Sequence, residues 1–158
     1  MAQLPAMFAK IAKNAVTHAK PAQAARKPAT FESAKSNIVQ AIQKNIDIIN
    51  EHSEAELIAG KINWPAGDNG ESKPFLTMFK KTGLGWEVGC RYGNGYVEHF
   101  FNTGITTVDG LSKEEMVAYL EMMTNYVQSG KADKPLKVAF NAMQERVAKA
   151  RASRAASK

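Results

Sequence analysis

Acidic side chains are absent from residues 1–29 and almost absent from residues 137–158. The first stretch carries five basic residues (Lys10, Lys13, Lys20, Arg26, Lys27); the second carries six (Lys137, Arg146, Lys149, Arg151, Arg154, Lys158) against Glu145 alone. The residues between hold 10 basic and 14 acidic side chains, so the formal charge of +6 describes two cationic ends on a mildly acidic body. Cationic ends of this kind suit a polyanion or an acidic partner. They point to binding and state no reaction.

Other scarcities narrow the field. One cysteine, Cys90, excludes an internal disulfide framework and fits a reducing compartment, so a cytoplasmic location is expected. The apolar runs are far too short to span a bilayer, so no transmembrane segment is expected. The three histidines (His18, His52, His99) have no partner at metal-ligand spacing, and neither metal nor cofactor is expected. Gly83 and Gly85 lack the third glycine of a dinucleotide loop, and no Walker-type Gly-Lys-Ser/Thr occurs. A Cys90–His99 pair would still need an orienting group and a cleft. Glu54 with Glu56, and Glu114 with Glu115, stand where helices start and favour the macrodipole there. The reading is therefore a non-enzymatic one.

What is present reads as α+β. Residues 1–20 place Leu4, Met7, Phe8 and Ile11 on one helical face, opposite lysines. That face suits docking into a partner groove, and its basic, acid-free character also resembles an organellar transit peptide, though Ser and Arg are few. Peripheral membrane attachment through it would be marginal without a second anchor. Pro21–Pro28 reads as a linker. Thr30 caps a helix to about His52 with the stripe Ala34, Ile38, Ala41, Ile42, Ile46 and Ile49, and Ser53 with Glu56 caps a short second helix. Three candidate strands follow (Lys73–Lys81, Trp86–Tyr92 and Tyr96–Phe101), the last two joined by Gly93-Asn94-Gly95, a strong hairpin signal. Ser112 opens a helix with Met116, Leu120, Met123 and Val127 inward, ending at Gly130. Asp133 and Pro135 open a final helix with Leu136, Phe140, Met143 and Val147 inward, beyond which only Ala and Ser separate the basic residues. The expected architecture is a three-stranded antiparallel meander packed with helices, in the order α-(α)-β-β-β-α-α. Basic helical arms flank it: residues 1–29 as arm and linker, 30–147 as one globular domain, 148–158 as a basic tail.

Two surfaces carry the functional expectation. The first is the basic C-terminal helix: Arg146, Lys149, Arg151, Arg154 and Lys158 suit phosphates along a nucleic-acid backbone. The second is the sheet. If one face is open, Phe75 and Phe79 could stack unpaired bases beside Arg91, with Lys80 and Lys81 following the phosphates. The stretch Arg91–Val97 has some likeness to the aromatic-glycine strand of RNA-recognition domains, but its glycines fall where the hairpin must turn. The chain is thus expected to be a largely sequence-independent nucleic-acid-binding accessory protein, favouring single strands. The alternative is a structural or adaptor subunit of a larger assembly, such as a virion or a ribonucleoprotein, docking through Leu4, Met7, Phe8 and Ile11. Duplicated arms could clamp one polyanion or bridge two, and an oligomer is compatible with either role.

Overall fold

The computed structural model describes residues 29–157 apart from 68, 73 and 103. The docking face of Leu4, Met7, Phe8 and Ile11, the 21–28 linker and Lys158 lie outside the described residues. What is described is α+β, a three-stranded antiparallel sheet flanked by four helices in the expected order.

Helix α1 (Phe31–Glu51) starts where the sequence can cap it. Thr30 Oγ1 accepts from the Ser33 N–H at 3.1 Å, and Ser33 Oγ accepts from the Thr30 N–H at 3.0 Å. Two backbone donors that the helix cannot satisfy internally thereby find partners. Its isoleucine stripe (Ile38, Ile42, Ile46, Ile49) is buried against helix α3 (Lys113–Gln128), which contributes Met116, Leu120, Met123 and Val127. Each such aliphatic side chain removed from water contributes about 1.5–3 kcal/mol, which makes this helix pair the main apolar seam.

Between them, Ser53 caps α2 (Glu54–Ala59) and Gly60, at φ 68°, ends it in the left-handed region. The Ser53 N–H donates to the Glu56 carboxylate at 2.8 Å, and this hydrogen bond, aided by the Ser53 hydroxyl, holds the Glu56 carboxyl below its ordinary value of 4.5. A carboxyl depressed on folding contributes stability that is complete above its unfolded pKa and is lost as pH falls through the folded one. Glu56→Gln should therefore show its largest loss of Tm near neutral pH, with the gap from wild type closing as pH falls from 4.5 through the lowered folded value. Thermal melts across pH check this; a gap constant with pH would refute it.

Strands β1 (Phe79–Lys81), β2 (Trp86–Val88) and β5 (Val108–Leu111) form the sheet, in that order. Phe79 opposes Val88, and Lys81 opposes Trp86, which in turn opposes Leu111 across a bulged register. Gly85, at φ 150°, makes the β1–β2 turn, and a Cβ there would press on the Gly110 and Leu111 backbone at 3.0 Å, so the close approach to β5 needs glycine. Strands β3 (Arg91–Tyr92) and β4 (Gly95–Tyr96) form a separate two-stranded hairpin, at the Asn-Gly signal.

The third strand of the sheet is therefore Val108–Leu111 and not Tyr96–Phe101. His99 and Asn102 take positive φ (54° and 58°), which no strand accommodates, so residues 97–102 turn instead. That turn still buries Val97 and Phe100 and sets Phe101 against Tyr119 and Tyr126. The apolar alternation seen in the sequence is real, but a turn uses it. The first strand is also shorter than expected. Residues 74–77 are irregular, and Phe75 packs edge-to-face on Trp64 at 5.3 Å.

Helix α4 (Asp133–Ala156) closes the chain. Leu136 is buried, Phe140 and Met143 are half-buried, and Phe140 meets Phe31 edge-to-face at 5.9 Å, so the first half of the helix is held by α1. No helix among the described residues is long and apolar enough to cross a membrane.

Candidate nucleic-acid interface

The second half of α4 leaves the body. Every residue from Glu145 to Ser157 is exposed, and the last sizeable apolar one, Val147, is already 36 % accessible. Twelve residues of helix make a rod of about 18 Å. A peptide of that length would be marginal alone, because helix nucleation is unfavourable. Here the nucleus is built by the packed first half, and Ala, Arg and Lys, all good helix formers, propagate it. Arg154 in the last turn also meets the negative end of the helix dipole.

The rod carries Arg146, Lys149, Arg151 and Arg154 against Glu145. At about 100° per residue, Lys149, Arg146, Arg154 and Arg151 follow one another over roughly 200° of the circumference. Ala148, Ala152 and Ala155 fill much of the remainder. None of the four cations has a hydrogen bond or ion pair among the described residues. Their charge is available.

The sheet is different. Its inner face presents Phe79, Trp86 and Val88 to the helices, and all three are buried. Phe79 packs edge-to-face on Trp86 at 5.9 Å, and the Trp86 Nε1–H donates to Glu54 at 3.1 Å. A ring that is 5 % exposed cannot take a base, so Phe79 belongs to the core and the expected stacking platform is not there. The opposite face carries Lys80 beside Glu87 at 3.3 Å. Lys81 Nζ pairs with Glu54 at 3.4 Å and lies 5.2 Å above the Trp86 ring. Each of the two lysines expected to follow phosphates thus has a carboxylate neighbour at the surface.

Arg91 is not on this sheet at all. It stands in the β3–β4 hairpin with its guanidinium 4.7 Å from the centre of the Tyr96 ring, an arrangement that favours the cation. Arg91 and Phe75 instead line one side of a groove of about 400 Å³ against α1. The structure therefore brings Phe75 and Arg91 together, though away from the sheet, and holds Lys80 and Lys81 apart from them.

The Cys90–His99 pair considered from the sequence does not form. Cys90 is fully buried, and burial pushes its thiol up to about 12. His99 lies on the surface turn, while the residue facing Cys90 is Val97, whose N–H donates to the Cys90 carbonyl at 2.8 Å. A neutral, enclosed thiol is a poor nucleophile. Alkylating reagents at mildly alkaline pH should leave native Cys90 unmodified and label it promptly once the chain is unfolded in denaturant; rapid labelling of the native chain would refute the burial. No three His, Cys, Asp or Glu side chains converge among the described residues as a metal site would need.

Comparisons with protein-family models, with curated proteins and with solved structures return no match. The interface must be argued from its own chemistry. Residues absent from the sequence-based expectation also belong to the picture: Lys44, Asn37 and Gln40 reach the groove from α1. Their signal was Ala41, a small residue on the edge of an isoleucine stripe, which leaves a notch that longer polar neighbours border.

Proposed function

We propose that the chain binds nucleic acid, largely without regard to sequence, through the projecting half of α4. The observation that carries this is a solvated helical rod with four unpaired cations and one acid, held on a packed base. A helix of that kind follows phosphates by charge, and binding of this type is released by salt. Amide side chains able to read base edges are scarce on it: Asn141 and Gln144 lie at its root.

The test is fluorescence anisotropy of labelled single-stranded and duplex oligonucleotides with the full-length chain across a salt series. Affinity falling linearly in log salt supports the reading. Absence of binding at low salt rejects it.

A further inference from the structure

Four lysines of the body have local partners. Lys35 meets Asp133 at 2.9 Å, Lys80 meets Glu87, Lys81 meets Glu54, and Lys113 donates to the His52 carbonyl at 2.6 Å. Lys44 meets no such partner, and Arg91 meets only the face of the Tyr96 ring. Neither has a carboxylate or a hydrogen-bond acceptor among the described residues, and Arg91 Nε is buried with nothing to donate to. These two cations border the same groove, and no acidic side chain lines it.

The rest of the groove is equally selective. Phe75 and Leu76 give it an apolar wall, and Leu76 is 48 % exposed, a large apolar side chain left to solvent. Asn37 and Gln40 lie on the α1 side, their amides engaged in no hydrogen bond among the described residues. Unpaired cations suit a phosphate, the apolar wall suits the flat of a base, and free amides suit base edges. An aliphatic carboxylate would use the cations and the wall but leave the amides idle.

The groove also adjoins the rod. Gly93, at φ 64° in the β3–β4 turn, lines the groove and abuts Met143 so closely that an added Cβ would overlap the methionine methyl. Met143 stands one turn before Arg146, and Arg146 borders a second cleft that shares Tyr92 with the groove and is lined also by Tyr96 and Glu98. A backbone lying along α4 thus reaches the hairpin, and past its tip the groove.

We propose that this groove receives one unpaired nucleotide of a strand whose neighbouring phosphates lie on α4. The proposal rests on the nucleic-acid reading above and gives it a strand preference. Its test uses the full-length chain with an oligothymidylate and with a blunt duplex. The variants are Lys44→Gln combined with Arg91→Gln, and Leu76→Asp, an exposed position where an acid can be placed without disturbing the core. Both are expected to weaken single-strand binding by about 5- to 150-fold, the range for one lost base contact, and to leave duplex binding within about twofold. Equal losses on both probes overturn the proposal, since the cations would then merely extend the phosphate track. Unchanged single-strand affinity overturns it too. Should the wild-type chain bind neither probe, the nucleic-acid reading fails by itself, and a thymidine monophosphate titration followed by amide NMR decides the groove. Shifts around Lys44, Leu76 and Arg91 would support it, and their absence would reject it.

Discussion

Replacing Arg146, Lys149, Arg151 and Arg154 together by glutamine is expected to abolish most nucleic-acid affinity at moderate salt and to flatten its salt dependence. A protein that neutralises Z phosphates binds duplex DNA with a slope of about −0.9Z in log affinity against log salt. The four cations of α4 contribute at most about −3.6 to the slope for a duplex and about −2.8 for a single strand. A slope of −3.6 means roughly a 150-fold loss between 50 and 200 mM salt. The variant should retain little of that slope, and its low-salt affinity should fall accordingly.

The fold should not notice. All four side chains are exposed, none has a partner among the described residues, and glutamine has nearly the helix propensity of arginine and lysine. Circular dichroism and Tm are therefore the controls, and both should match wild type closely. Single replacements should each reduce the slope by at most about 0.9, and not all equally. The cations spread over roughly 200° of the rod, so one strand lying along it meets some of them better than others. Glu145→Gln should act in the opposite sense by removing the one acid from the rod. An unchanged slope in the fourfold variant would place the phosphate contacts elsewhere and reject α4 as the interface.

The sequence made three of the four helices legible through their caps and the longer ones through their period, while α4, which starts after Ala132 with no side-chain cap, rested on period alone. Thr30, Ser53 and Ser112 each accept the backbone N–H three residues on, and the isoleucine and methionine stripes face each other as spacing requires. The rod was legible for a related reason: beyond Val147 no large apolar residue exists to bury, so exposure follows from composition. Strands offered less. Alternation at Tyr96–Phe101 was indistinguishable from a turn that drops Val97 and Phe100 inward, since only backbone φ at His99 and Asn102 separates the two. Val108–Leu111 is short, contains Asp and Gly, and gains its place from pairing with Trp86 and Val88, a long-range fact. The same holds for the site. Lys80 and Lys81 look like free cations in sequence, yet Glu87 meets one across the sheet and Glu54 meets the other from α2. Arg91 looks like a sheet residue, yet β2 ends at Val88 and the hairpin carries it to α1.

Asn45 shows what such long-range facts cost when they are removed. It is fully buried on the inner side of α1, among isoleucines, where an amide has no place unless it is satisfied. Its Nδ2 donates to the Ala41 carbonyl at 2.8 Å, and its Oδ1 accepts the Met78 N–H, also at 2.8 Å. The second bond ties α1 to the entry of β1, 33 residues later. Asn45→Leu keeps the volume and removes the acceptor, so the buried Met78 N–H is left without a partner. An unsatisfied buried donor costs about 1–3 kcal/mol, and for a chain of this size that corresponds to a Tm lower by roughly 3–15 °C. Asn45→Asp keeps the acceptor but buries a charge against the Ala41 carbonyl, so it should be at least as harmful near neutral pH and recover part of the loss in acid, where the carboxyl is protonated and can donate again. The two variants separate the hydrogen bond from mere packing, because a packing role would let leucine pass unnoticed. Met78 also lines the groove, next to Leu76 and Arg91, so loosening the Asn45 bond should weaken single-strand binding through the groove. The salt slope set by α4, whose distal half touches none of these residues, should remain as in wild type.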